Sequence, residues 1–409
     1  MRLGFSTFLL LAICVAPALA GTIQKEELDQ QKDAYQRWWG GDLAMKLDEL
    51  PTEGGVPDFR IPYSGHDYPD KIGGTVRAMQ KYDAAFHGGR PVASGWEKQD
   101  VQYHRNFREN GAARRGLFAR ARNRGVPGWY GHCNGWTAAT IRHAEPQQAV
   151  VRNGVTFTPA DIKGLLAEIY MYSDSEFLGG VDPAINPGTL HLVLTNWVGR
   201  GSHPLGLESA IGEVVINFPL YKFKTKLTKL SDRQYEAETT VTYSVNTPQE
   251  HDKGPDFRRD MYLHYSLDLD EEGRITGGSY YRDSNQIDML WAPLKPAQGG
   301  EKGNERGNPH IKLQEILSIW RESVPEETRK KWLNINPTEE DAILENGEIA
   351  GEAGAAAAAA EAAAAEGTEK PTEAKEEASK EQPAAKSSNS ETSSTTERPS
   401  SDDPPSDTP

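Results

Sequence analysis

The cysteine content is the feature that most constrains this chain. The sequence contains two cysteines, Cys14 and Cys133. Cys14 lies in a segment with a basic start, an apolar run and a small-residue end at Ala18-Leu19-Ala20, which is typical of a secretory signal peptide. Cleavage after Ala20 is expected, and the exported chain then keeps Cys133 alone. No disulfide can form within it, so its stability must come from a packed core.

Composition separates a second segment from the rest. Residues 351–409 contain no aromatic residue and have 13 acidic and 5 basic residues, so they carry −8 of the formal charge of −15. Such a segment cannot bury a core, and a disordered tail is expected. The remaining part, about 330 residues long, is only mildly acidic, which argues against nucleic acid as a partner. Its apolar runs are too short to span a membrane, and no membrane anchor is expected.

A motif rich in glycine and aromatic residues surrounds Cys133. The stretch over residues 128–136 is followed by small residues, a pattern typical of a helix that packs closely in a protein centre. The sulfur should therefore lie near the start of a buried helix. There the helix dipole and the free N–H groups favour a thiolate, and they can also bind the oxygen of a tetrahedral intermediate. A small buried core residue is the alternative, but the motif favours a cysteine nucleophile.

The nucleophile needs a base, and His191 is the best candidate. It lies in a turn-bounded run over residues 186–199 whose composition predicts a strand, with His191 and Trp197 on one face. A histidine in a buried strand is usually a core residue, but a lone cysteine upstream makes it the expected partner. His132 is adjacent to Cys133 in sequence and is expected to line the site instead.

Two residues could orient the imidazole of that base. Glu208 would stabilise the imidazolium as a carboxylate, whereas Asn217 would only fix the tautomer. Glu208 is preferred, and both remain candidates for the third member of a triad. The substrate is expected to contact four further side chains, Trp129, His132, Trp136 and Trp197. The sequence has no phosphate loop and no zinc-spaced cluster of histidine and cysteine, so neither a cofactor nor a metal is expected.

These motifs resemble the transglutaminase elicitor family, secreted enzymes of oomycetes with bacterial relatives and a papain-like core. The resemblance is carried by residues 131–139, 186–196 and 213–219, and in a weaker form it spans roughly residues 60–295. It implies an α+β fold of the papain-like or transglutaminase type, in which a central helix with the cysteine packs against an antiparallel sheet that carries the histidine and the acid. Ile216 and Phe218 replace a tryptophan and a glutamine of the family pattern.

The resemblance implies a secreted protein-glutamine γ-glutamyltransferase that cross-links glutamine and lysine side chains of protein substrates through a cysteine thioester. The expected organisation is a signal peptide (1–20), an N-terminal arm or pro-segment (21–60), a catalytic domain (61–300), C-terminal helices (301–350) and the tail (351–409). One alternative is a papain-like cysteine peptidase or amidase, in which water takes the acyl group. Another is an interaction or elicitor protein with an impaired site, in contact with a cell wall.

Overall fold

The structure is a computed structural model that describes residues 21–113, 130–180, 184–209, 215–282 and 284–332. The predicted signal peptide, the predicted tail and Trp129 lie outside the described residues. None of the described helices is long and apolar enough to cross a membrane.

Eight α-helices form in the described part of the chain. They are α1 (Lys25–Trp39), α2 (Val76–Phe86), α3 (Ala93–Ala113), α4 (Cys133–Arg142), α5 (Pro159–Tyr170), α6 (Pro187–Val193), α7 (Leu313–Ser323) and α8 (Glu326–Lys331). A π-helix over Leu194–Arg200 continues α6, and short 3-10 helices lie at Leu47–Glu49, Asp58–Arg60 and Asp70–Ile72.

The strands form one large antiparallel sheet and one small hairpin. The strands are β1 (Gly21–Thr22), β2 (Glu53–Gly55), β3 (Val150–Arg152), β4 (Val155–Phe157), β5 (Ser175–Gly179), β6 (Leu205–Glu208), β7 (Asn217–Ser231), β8 (Gln234–Ser244), β9 (Arg258–Leu269), β10 (Ile275–Tyr280) and β11 (Met289–Pro293). The large sheet has the order β1-β10-β9-β8-β7-β6-β11-β5, with β2 paired to β7, and the hairpin joins β3 to β4. This mixture of helices and antiparallel sheet confirms the α+β fold class.

Two hydrophobic cores flank the strands that carry the site. One core joins the large sheet to α1, α6 and the π-helix, and the other joins α2, α4, α5 and α7. Helix α4 packs on α5 on one side and on β6, β7 and β11 on the other. The close approach of α4 to α5 requires Gly135, because a Cβ there would lie 2.2 Å from the carbonyl oxygen of Ala167. The cysteine helix is therefore central, as predicted.

The N-terminal segment is part of the first core. Strand β1 pairs with β10, and Tyr35 and Trp38 of α1 are buried in that core. Their rings pack against Trp197 of the π-helix. Removal of this segment would take Tyr35 and Trp38 away and expose Trp197, so the packing favours an integral arm over a removable pro-segment.

The strand predicted over residues 186–199 is wrong. The segment forms α6 and the π-helix. Asn186 caps α6, since its side chain accepts a hydrogen bond from the N–H of Gly188, and Pro187 occupies the first helical position. Every residue from Pro187 to Val198 is buried, so the apolar run carried no alternation that could distinguish a strand from a buried helix.

Candidate active site

Cys133 is the first residue of α4, as the sequence predicts. The residue is buried, with 8 % of its surface exposed, and its thiol is free. Its Sγ lies 3.8 Å from the carbonyl oxygen of Val215, to which the S–H donates. The Nδ2 of Asn217 donates to the same sulfur from 3.7 Å. The start of β7 and the segment before it therefore hold the thiol in place.

The surroundings of Cys133 favour the neutral thiol over the thiolate. Burial raises the pKa of Cys133 above its usual value, and the charge of Asp67 acts in the same direction. Hydrogen bonds from Asn217 and from the backbone N–H of Asn134 lower it, but they do not compensate for burial. Burial therefore opposes the thiolate expected at the helix start, because desolvation of the sulfur outweighs the helix-end donors.

Asn217 is fixed by a residue that the prediction missed. The indole N–H of Trp291 in β11 donates to Oδ1 of Asn217 at 2.9 Å. Since the oxygen is used in this way, the amide turns its NH₂ towards the sulfur. The Trp291 ring lies over Gly206, where a Cβ would come within 2.1 Å of it. Three adjacent strands, β6, β7 and β11, thus orient one amide donor at Cys133.

Glu208 lies directly opposite Asn217 in the register of β6 and β7. Cross-strand partners point to the same face of a sheet, so both side chains face the same space. Burial raises the pKa of Glu208 to about 7, and the charge of Asp288 contributes to the increase. A carboxyl group with this pKa exchanges a proton readily near neutral pH.

The side chains of Cys133, Glu208 and Asn217 line one cavity of about 480 Å³. Its walls are formed by Tyr130, Gly131, Cys133, Asn134, Ala138, Tyr170, Met171, Tyr172, Ser173, Asp174, Ser175, Glu208, Val215, Asn217, Met289, Trp291 and Pro293. The structure therefore brings together three predicted site residues, Cys133, Glu208 and Asn217. None of these described lining residues is a histidine.

His191 is not brought to Cys133. It projects from α6 into the first core, where Nδ1 lies 2.9 Å from the hydroxyl of Tyr265. That hydroxyl contacts Thr239, which in turn contacts Thr225 of β7. Thr225 is eight residues beyond Asn217, about 26 Å of extended strand at roughly 3.3 Å per residue.

The environment of His191 is that of a neutral core residue. Burial lowers the pKa of its imidazole to about 4. The ring is therefore uncharged at neutral pH, and it is no counter-ion for a thiolate. The prediction that His191 is the base relied on the predicted strand. The residue instead lies in α6, which packs in the first core.

The predicted aromatic contacts also lie away from the cavity. Trp136 is buried between Gly65 and Phe218, and Trp197 packs within the cluster of α1 and the π-helix. Neither lines the cavity. The cavity instead has Tyr130 and Trp291 as aromatic walls, and neither was predicted as a site residue.

His132 faces away from Cys133 into a buried acidic cluster. Its Nε2 lies 3.2 Å from Oε2 of Glu168 and 3.6 Å from Oε1 of Glu97. Although burial lowers the pKa of His132, the carboxylates of Glu97, Glu168 and Asp70 raise it to about 10. Burial and the neighbouring Glu168 raise the pKa of Glu97 to about 8. His132 is therefore a member of this cluster and not a lining residue.

Comparison with known proteins gives two matches. The model of the transglutaminase elicitor family matches residues 98–182, a range that contains Cys133 but not Glu208 or Asn217. The crystal structure of the GP42 transglutaminase from Phytophthora sojae aligns with a TM-score of 0.58 at 20 % identity, over 74 % of this chain and 99 % of that one. No curated protein matches the chain. The family match confirms the resemblance to the transglutaminase elicitor family over these residues, and the structural match supports the fold.

Proposed function

We propose that this protein is a transglutaminase that forms a γ-glutamyl thioester on Cys133 and transfers it to an amine. The observation that supports this best is the shared cavity, which is lined by the thiol of Cys133, by the amide donor that contacts it and by a carboxyl group of raised pKa. The choice of glutamine and lysine as substrates rests on the family resemblance.

In the first step the S–H proton passes to the carboxylate of Glu208, directly or through water. The sulfur then attacks the γ-carboxamide carbon of a glutamine, and the carbonyl oxygen takes the negative charge. The Nδ2 group of Asn217 and the N–H of Asn134 donate to the sulfur before the reaction. In this proposal they donate to the charged oxygen of the intermediate instead. When the C–N bond breaks, Glu208 returns its proton to the leaving ammonia.

In the second step a lysine amine attacks the thioester. The amine loses a proton to Glu208, the C–S bond breaks, and the sulfur recovers a proton as the isopeptide is released. Glu208 and Asp174 give the cavity two carboxyl groups that attract a cationic acceptor. In this assignment Glu208 takes the proton-transfer role that was predicted for His191, and Asn217 is the positioning and oxyanion donor.

We further propose that the enzyme acts outside the cell on protein substrates. The first 20 residues have the pattern of a signal peptide, and the resemblance is to a family of secreted proteins. Contact with a cell wall and any elicitor role remain predictions.

The test is an assay with a fluorescent primary amine and a glutamine-rich protein. Amine incorporation with release of an equal amount of ammonia, and its loss in Cys133→Ala, are expected. New amino termini would instead indicate the cysteine peptidase, and ammonia release without amine incorporation would indicate an amidase. If folded wild-type protein gives none of these products, the site is inactive, and the alternative of an interaction protein with an impaired site is favoured.

A further inference from the structure

A second cluster of chemically active side chains lies behind the nucleophile. Glu97 comes from α3, His132 precedes α4 and Glu168 lies in α5. All three are buried, and one ligand atom of each lies within 4.8 Å of the others. The mechanism above does not use any of them.

The distances within this cluster fit a bound metal ion. Ligand atoms that surround a tetrahedral metal at about 2.0–2.2 Å are separated from one another by about 3.3–3.6 Å. Nε2 of His132 lies 3.2 Å from Oε2 of Glu168 and 3.6 Å from Oε1 of Glu97. The donors therefore already have nearly the spacing that such an ion requires.

A buried oxygen without a hydrogen-bond partner gives an independent indication of a bound metal ion. Glu97 is fully buried, and its Oε2 has no hydrogen-bond partner among the described residues. The described residues also provide no lysine or arginine partner for Glu97 or Glu168; their polar neighbours are His132 and Thr75. A protonated His132 can balance one of the two carboxylates, and the second is costly in such a place unless another cation compensates it.

On the other side of the imidazole a carboxylate lies nearby, beyond the distance of a direct hydrogen bond. In metal sites, a histidine that binds through one nitrogen usually turns its second N–H towards a carboxylate. Here Nδ1 of His132 faces Oδ1 of Asp70 at 4.0 Å. Asp70 is itself anchored, since its backbone N–H donates to the carbonyl oxygen of Tyr130.

We propose that Glu97, His132 and Glu168 bind a divalent transition metal of the Zn²⁺ type. An imidazole and two carboxylates suit Zn²⁺, whereas Ca²⁺ prefers six to eight oxygen ligands. The ion neutralises the two carboxylates and connects α3 and α5 to the residue before Cys133. It therefore holds the start of the cysteine helix in place and takes no part in acyl transfer.

The test uses the secreted full chain without a histidine tag, equilibrated with Zn²⁺ and then dialysed. We expect elemental analysis to find about one Zn²⁺ per chain. Cys133→Ala and the control variant His264→Ala, which removes a half-buried histidine–carboxylate pair elsewhere in the chain, should keep the metal. His132→Ala should lose it, and Asp70→Asn should weaken binding by about 10–100-fold.

A measurement on the wild-type chain avoids dependence on variants that fail to fold. With Co²⁺ in place of Zn²⁺, we expect the visible absorption of tetrahedral cobalt and an increase in melting temperature. A wild-type chain that binds neither ion at micromolar concentration would overturn the proposal. Full metal content in a folded His132→Ala variant would overturn it as well. Neither result depends on transglutaminase activity.

Discussion

The raised pKa of Glu208 predicts a measurable cost in stability. The pKa rises from 4.5 to about 7 on folding, which corresponds to about 3 kcal/mol at about 1.4 kcal/mol per pKa unit. The folded chain holds this proton more tightly than the unfolded chain does. The free energy of unfolding should therefore decrease as the pH rises from about 4.5 to 7, and the full cost should be present above that range.

Glu208→Gln removes the charge and keeps the shape. The variant should match the wild type at pH 4.5 and should be more stable at pH 8, by up to about 3 kcal/mol. The same change should lower amine incorporation by about 10²–10⁴-fold, because the amide cannot accept the proton. A gain in stability with a loss of activity is typical of a catalytic group that is held in an unfavourable environment.

Urea unfolding at the two pH values measures this effect, with Glu271→Gln as the control. Glu271 lies in a surface turn with 76 % of its side chain exposed, so its variant should differ from wild type by less than about 0.5 kcal/mol at either pH. Taking the difference between variant and wild type cancels the titration of other groups. A stability difference for Glu208→Gln that does not change between pH 4.5 and 8 would refute the reasoning.

Four further outcomes are expected. Alkylation of Cys133 should still accelerate above pH 9, because burial raises the pKa of its thiol; mass spectrometry of the labelled chain would show this, and a plateau near pH 7 would contradict it. Trp291→Phe should reduce kcat about tenfold through the loss of its hydrogen bond to Asn217, with KM little changed. His191→Gln should lower the melting temperature and leave the pH–rate profile unchanged, so a folded, inactive variant would return the base role to His191. Trp38→Ala should cost about 3–5 kcal/mol in urea unfolding if α1 is integral to the core.

The parts of the fold that could be predicted depend on local signals. The start of α4 follows from the glycines before Cys133, and α5 begins with a capping box formed by Thr158 and Asp161. Strands β8 to β10 have the composition and turns of an antiparallel meander. The helix at His191 was missed, although Asn186 and Pro187 provided a cap and a first helical residue, because a fully buried segment has no periodicity of its own.

The site depends on long-range contacts that spacing along the chain does not reveal. Asn217 and Glu208 become neighbours through strand register, and Trp291 reaches Asn217 from a strand 74 residues away. The cluster around His132 draws Glu97 and Glu168 from two other helices, so no ligand motif exists in the sequence. The pKa values of Cys133 and Glu208 follow from burial, which is a property of the folded chain.

Trapping the acyl-enzyme tests the central proposal most directly. The chain without its signal peptide is incubated with a glutamine peptide in the absence of an amine, quenched in acid and weighed intact by mass spectrometry. We predict an adduct equal to the peptide mass less one ammonia, attached to Cys133 and discharged by an added lysine analogue with formation of the isopeptide. A folded, thiol-reactive chain that forms no such adduct, or that carries it on another residue, would contradict the proposal.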